Sequence, residues 1–423
     1  MVPTGKTGSS AEALPARLYA WAVFLLSFLL LLSDYMSRQV LNAVFPLLKS
    51  DWALSDTQLG GLSGIVALAV GCLTFPLSLV ADRWGRVRAL TVMAMLWSLA
   101  TLACGLARNY PEMFVARLLV GVGEAGYGSV GVAVVLSVFP ASMRATLTAA
   151  FMAGGLLGSL LGMAIGGAVA VHLGWRWAFA VMAIFGLTLA SIFPLVVRER
   201  DRNRQHKTPA FRPQWRRLFN TTSVVAVYVG SGLQLFTVAA LVAWSPTLLN
   251  RSYGFAADKA GAGAGGLVLC GSLGMVLCGA LSDRLCRTSR PRKFMLALLY
   301  CLLSAVLLLT AFSLPPGTAQ IALIAAGMFF AAGSAGPAGA AVANLTPLAI
   351  HGTAFATLTL ANNLLGLAPG PIVTGMLADR FGLMAALQMV PLVSLWAAAA
   401  FYVGLRNYGS DLCLSETAST VVN

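Results

Sequence analysis

Four ionisable side chains stand inside stretches that are otherwise apolar and rich in glycine. Asp34 and Arg38 belong to SDYMSRQV, and Arg117 and Glu124 frame RLLVGVGEAGYG. Charges in such surroundings are costly, so they face a protein or aqueous interior and mark ligand, ion or proton pathways. Glu124 and Asp34 suit the holding and release of a proton. Arg38 and Arg117 stay charged and can grip a carboxylate or phosphate through two parallel N–H bonds. The four together fit a site that handles an anion and a proton. The competing explanation is a set of satisfied ion pairs that only fix helix packing.

Spacing constrains how they meet. Asp34 and Arg38 are four apart and can bond along one helix. Arg117 and Glu124 are separated by about 10.5 Å of helix axis, too far to pair unless their side chains bend together or a water or substrate bridges them. Glu124 is therefore expected to look to another helix or to a cavity. Counted from the helix starts on one side, the carboxylates lie about 21–24 Å deep and the arginines about 30 Å, so each type forms a layer. Tyr127, one turn beyond Glu124, is a candidate substrate contact.

The elements that must hold these residues follow from composition. Of 423 residues 58% are hydrophobic, a further 43 are glycine, and only 10% are charged. Apolar runs of bilayer-spanning length recur twelve times, at 18–47, 57–81, 88–107, 112–139, 145–171, 175–197, 221–249, 260–282, 293–313, 318–345, 352–377 and 383–405. The expectation is an all-α, multi-pass membrane protein. The net charge of +14 does not point to nucleic acid, because most Lys and Arg fall in loops and tails on one side. By the positive-inside rule both termini are cytoplasmic, in the cell (inner) membrane. The polar start of the chain carries no cleavage-type pattern, so no removable signal peptide is expected.

The domains expected are an N-terminal tail 1–17, a six-helix bundle 18–197, a basic linker 198–220, a second six-helix bundle 221–405 and a C-terminal tail 406–423. The bundles read as a duplication at offsets of 200 to 208 residues. Pro46 aligns with Pro246, and VADR at 80–83 with LSDR at 281–284. Gly158, Gly162, Gly167 and Gly174 align with Gly366, Gly370, Gly375 and Gly382. Parallel six-helix repeats are the mark of a transporter whose two halves enclose a central site. The duplication also bears on the charges. Asp34 aligns with Gln234 and Arg38 with Val238, and IALIAAGMFFAAGSAG at 321–336 has no charge. The same architecture thus assembles without them, which favours a functional reason for their presence.

SLVADRWGRVR, Ser78 to Arg88, resembles the loop signature of the major facilitator superfamily, and GALSDRLCR from Gly279 resembles its second copy. YMSRQVLNAVFPLLK at 35–49 and RLLVGVGEAGYG are similar to the spinster-like and organic-anion-symporter branches, with Ser37 where those branches usually carry Asp. The resemblance implies twelve helices in two pseudo-repeats and rocker-type alternating access. It also implies a gating role for Asp82, Arg83, Gly85 and Arg86, and for Asp283 and Arg284 in the repeat. GSLLGMAIGG at 158–167 resembles an antiporter signature but has Met163 at its proline. The ridge Gly154, Gly158, Gly162, Gly166 reads more simply as close helix packing.

The resulting expectation is a secondary transporter, not an enzyme, that carries a small organic anion by proton symport. Arg38, Arg117, Tyr127, Tyr228, Gln234 and Asn362 are assigned to substrate, and Glu124 and Asp34 to the proton. Trp244, Asn344 and Asn363 are further polar or aromatic groups in reach of a cavity. Transport of a lysophospholipid or another amphipathic lipid, and drug efflux, are the alternatives. The partners expected are substrate, protons and membrane lipids, with no nucleic acid and a monomeric chain. No cofactor is implied. The seven cysteines and three histidines show neither disulfide nor metal-ligand spacing, and no nucleophile constellation supports an enzyme.

Overall fold

The computed structural model describes residues 10–140, 143–198, 219, 221–286, 291–346 and 351–420. In lipid every backbone N–H and C=O must bond within the protein, so long apolar runs become helices. Among the described residues eleven segments are long and apolar enough to cross a membrane. The first half holds α1 (Ser10–Trp52), α2 (Asp56–Trp84), α3 (Arg86–Leu106), α4 (Tyr110–Glu124), α5 (Tyr127–Val138), α6 (Arg144–Leu173) and α7 (Trp175–Val196). The second holds α8 (Thr222–Tyr253), α9 (Ala257–Leu285), α10 (Arg292–Ser313), α11 (Thr318–Gly333) and α12 (Ala335–Leu345). It continues through α13 (His351–Asn362), a π-helical turn (Asn363–Leu367), α14 (Pro369–Phe381) and α15 (Leu383–Thr420). No strand occurs among the described residues. Apolar side chains such as Leu195, Leu106 and Trp396 cover the outside, where lipid replaces water.

Local chemistry sets the boundaries. The Ser55 hydroxyl accepts from Gln58 N while the Gln58 side chain accepts from Ser55 N, which satisfies orphan donors at the start of α2. Asn109 caps α4 by accepting from Glu112 N. Gly85, with φ 105°, turns α2 into α3, and Gly382, with φ 83°, turns α14 into α15.

Three of the expected spans are not single helices. The run 112–139 breaks between Glu124 and Tyr127, the run 318–345 at Ser334, and the run 352–377 at the π-helical turn. Hydropathy is continuous through all three, which is why the sequence reads them as unbroken. α1 begins at Ser10, ahead of residue 18, and α15 runs to Thr420 through most of the segment expected as a tail. Of the basic linker 198–220, only Arg198 and Phe219 are among the described residues.

The duplication is visible as packing. On α6, Gly154, Gly158, Gly162 and Gly166 lie against Phe28, Leu32, Met36 and Val40 of α1, each four residues further on. In the second half Gly366 and Gly370 lie against Gly232 and Phe236 of α8. Between the halves, Gly167 meets Ala257 and Gly261 meets Met163, while Gly375 meets Asp56 and Gly60 meets Pro371. The two sets of contacts correspond within a residue under the same offsets of 200 and 208. Lipid gives helices no hydrophobic reason to associate, so backbone approach at glycine supplies the contact area.

Candidate functional site: an ion pair at a helix break

The fourth span stops at Glu124 and restarts at Tyr127. Gly126 adopts the left-handed conformation, φ 93°, that a side chain would disfavour. The break places Glu124 in the last turn of α4, beside α1. There Arg38 donates to Glu124 Oε2 through Nε at 3.0 Å and Nη2 at 2.7 Å. Glu124 therefore turns to another helix rather than to Arg117. Ser37 Oγ donates to the Asp34 carbonyl at 2.8 Å and lies 3.5 Å from Glu124 Oε1. Asp34, one turn before Arg38 on α1, is buried, and its carboxyl Oδ1 has no hydrogen-bond partner among the described residues. A carboxylate left without a donor gains one of its own when protonated, because the acid form carries an O–H. The Glu124 side chain is fully buried and that of Arg38 is 22% exposed, so the ion pair has one open edge. Tyr35 places its ring 5.3 Å from the Arg38 guanidinium.

Arg117 does different work from that expected. It is wholly buried and spends its donors on backbone, with Nε to Leu62 O at 3.3 Å, Nη1 to Ser37 O at 3.1 Å and Nη2 to Arg38 O at 3.3 Å. It ties α4 to α1 and α2, and no part of it faces open space. Three other assigned contacts are also turned into the bundles. The Tyr127 hydroxyl donates to Ser27 O at 2.8 Å and its ring packs edge-on against Trp97. Tyr228 is buried in the core of the second half. Gln234 Nε2 donates to Ser304 on α10 at 2.9 Å, away from the first half. Helices buried on most sides carry little amphipathic signal, so their sequence does not reveal facing. Asn362 is half-buried, with an unpartnered carbonyl oxygen.

At one end the halves are closed. The Asp56 carboxylate binds Lys49 at 2.6 Å and Arg251, from the other half, at 2.7 and 2.8 Å. The Asp379 carboxylate accepts from Asp56 N, Thr57 N and Thr57 Oγ1. Trp244 donates to Pro371 O, and its ring meets that of Phe45 at a tilt, with centroids 5.4 Å apart. None of Lys49, Asp56, Arg251 and Asp379 was picked out from sequence. A signal exists for Asp379, because LADRFG at 377–382 repeats VADRWG at 80–85.

At the opposite end a cavity of about 410 Å³ opens between α2, α5 and α13, lined by Thr74, Phe75, Ser78, Arg86, Phe355 and Thr359 among others. Gly85 forms the turn beside it, Arg83 is exposed, and Asp283 and Arg284 are exposed on α9. The Asp82 side chain lies outside the described residues.

The sequence profile of the Major Facilitator Superfamily matches residues 27–371. The chain belongs to that superfamily of membrane transport proteins and is a multi-pass integral membrane protein. A hexuronate transporter of Bacillus subtilis is 26% identical over 192 residues, 45% of this chain and 46% of the relative. A gallate transporter of Pseudomonas putida is 39% identical over 110 residues, 26% of this chain and 24% of the relative. The matched segments thus span less than half the length of these relatives. A bacterial homologue of the human lysosomal transporter Spinster, solved in an inward-facing and occupied conformation, superposes with a TM-score of 0.84 at 21% identity. That likeness covers 93% of this chain and 98% of the other, and it is a likeness of fold.

Proposed function

We propose that this chain is a secondary active transporter that carries a small organic anion together with protons by alternating access. The observation that supports it most is the contact of Arg38 with Glu124 beside Asp34, open on one edge. With both carboxyls ionised, the two arginines are balanced. A proton taken up by Asp34 or Glu124 leaves one positive charge in excess at the exposed edge of Arg38. Proton binding and anion binding then favour each other, and the linkage is reciprocal. Arg117 acts behind this pair as the residue that positions the backbone of Ser37 and Arg38.

The excess of Lys and Arg in loops on the Arg86 side sets that side, with both termini, in the cytoplasm of the inner-membrane protein. The closed Asp56–Arg251 end is then external and the conformation is open inward. Asp82, Arg83, Gly85 and Arg86, with Asp283 and Arg284, form the cytoplasmic gate that closes when the outer end opens. The relatives named for hexuronate and gallate, both carboxylates, agree with an anionic substrate. The domain boundaries expected from sequence, with the linker 198–220 between two bundles, are kept in this reading.

A second reading, movement or efflux of an amphipathic molecule, is favoured by Phe75 and Phe355 beside hydroxyls in the inner cavity.

The test is uptake into liposomes holding the purified protein, with labelled galacturonate and gallate at two external pH values. Saturable uptake that rises with external acidification is expected. Glu124→Gln should retain exchange of substrate but lose the pH dependence, and Arg38→Ala should lose both. Full proton-driven accumulation by Glu124→Gln would remove Glu124 from coupling. Flipping of a labelled lysophospholipid without saturable anion uptake would select the second reading.

A further inference from the structure

Where α13 passes into the π-helical turn of the eleventh span, two buried oxygens have no hydrogen-bond partner among the described residues. Asn363 is 4% exposed; its Nδ2 donates to Thr359 O at 2.9 Å, while its Oδ1 has no donor. The Oδ1 of Asn362 beside it is likewise unpartnered. One of the two Asn363 amide N–H groups goes to a carbonyl, and the side-chain atom left with no partner at all is the acceptor oxygen. Buried polar atoms are nearly always bonded, and π-helical turns occur often at functional sites.

Depth relates these oxygens to the ion pair. Asn363 packs on Gly71 of α2, and α2 meets Gly121 of α4 at Val66 and Ala69. Gly71 lies two residues past Ala69, and Glu124 three residues past Gly121, along helices that run the same way. At about 1.5 Å per residue, Asn363 and Glu124 stand within roughly 2 Å of one level. Thr74 and Thr359, one turn from Gly71 and Asn363, already line the open cavity. The first half thus brings an exposed cationic edge to this layer, and the second half brings acceptors.

We propose that Asn362 and Asn363 form a subsite that accepts hydrogen bonds from hydroxyl groups on the far end of the anion held at Arg38. The substrate class is a carboxylate bearing hydroxyls, and a bare alkyl carboxylate is discriminated against because it leaves both oxygens unpaired. This rests on the anion reading of Arg38, and the probes are chosen to separate the two.

Dissociation constants are measured for galacturonate, hexanoate and neutral galactose on the purified protein in lipid nanodiscs, for the natural sequence, Asn363→Ala and Asn362→Ala, each confirmed monodisperse. One neutral hydrogen bond is worth roughly 3- to 10-fold in affinity. The expected result is that galacturonate binds at least about 10-fold more tightly than hexanoate. That advantage should drop below about 3-fold in at least one alanine variant, with hexanoate affinity unchanged. Galactose binding that is lost in the variants would keep the subsite and sink the anion reading. A galacturonate advantage that is absent, or unchanged in both variants, overturns the subsite, as does failure of all three probes to bind.

Discussion

Asp379, at the end of α14, closes over Thr57 in the first turn of α2, accepting from Thr57 N at 2.8 Å and from Thr57 Oγ1 at 2.6 Å. It takes a further bond from Asp56 N at 2.7 Å. The free amides and positive dipole end of a helix N-terminus make a ready anion site. Here the anion is a side chain from the other half. The corresponding start of α9, at Ala257, faces α6, where Val171 stands 208 residues before Asp379, so the duplicated partner has no such carboxylate.

Asp379→Asn keeps the shape but loses the charge and places donors near donors. The prediction is that the closed end weakens by about 1–2 kcal/mol, a shift of roughly 5- to 30-fold in the closed-to-open ratio. Spin labels at the exposed positions Ser50 and Ala256 would report it as a new, longer distance population. An unchanged distribution would show that the contact does not hold the end shut.

The neighbouring cluster should behave as a unit. Asp56 is buried and holds two cations, Lys49 and Arg251, that are each about a third exposed. Asp56→Ala strands both, whereas Arg251→Ala leaves Asp56 with Lys49. Asp56→Ala should therefore be the more destabilising single change. A double-mutant cycle between Asp56 and Arg251 should give a coupling of about 0.5–3 kcal/mol. Additive effects in thermal unfolding would mean the pair contributes nothing across the interface.

What the sequence reveals and what it hides divide along physical lines. Twelve spans and their duplication are legible because hydropathy and glycine placement repeat along the chain. The depth layer of Asp34 and Glu124 is legible because helical rise is constant. Facing is not: Tyr127, Tyr228 and Gln234 sit on helices surrounded by protein, where no polar stripe marks a direction. The helix breaks at Gly126 and Ser334 are hidden because small Gly and Ser residues also recur within the unbroken helices around them. Arg117 illustrates the deepest ambiguity, since a guanidinium binds backbone carbonyls and substrate carboxylates by the same chemistry. Asp379 was missed although LADRFG repeats VADRWG, because the copy falls at the opposite end of its span.

The glycine ridge yields a prediction with its own control. A Cβ at Gly162 would lie 2.7 Å from both Cα and O of Met36, and one at Gly370 would lie 2.7 Å from Phe236 O. Backbone cannot yield as a flexible side chain can. Gly162→Ala and Gly370→Ala should each cost about 1–3 kcal/mol through forced separation of the helices. Gly128→Ala, with nothing within 4 Å, should be nearly neutral. Thermal unfolding in one detergent compares all three, and an equal response at Gly128 and Gly162 would contradict the packing account.

The two arginines of the site should separate when each is replaced by lysine. Arg117 holds three carbonyls on two helices in fixed geometry, and a single ammonium cannot reach all of them from one position. Arg117→Lys should lower stability by about 2–3 kcal/mol, because a buried carbonyl loses a charged donor. Its effect on ligand affinity should be indirect, through the displaced backbone of Ser37 and Arg38. Arg38 is open on one edge and makes its two bonds to one carboxylate oxygen, which lysine can also approach. Arg38→Lys should therefore unfold within about 1 kcal/mol of the natural sequence yet lose the paired N–H geometry that an anion needs. Unfolding midpoints and galacturonate titrations on both variants decide the assignment. A stable Arg117→Lys with abolished binding would return Arg117 to the substrate, and the reverse pattern keeps it as the support behind Arg38.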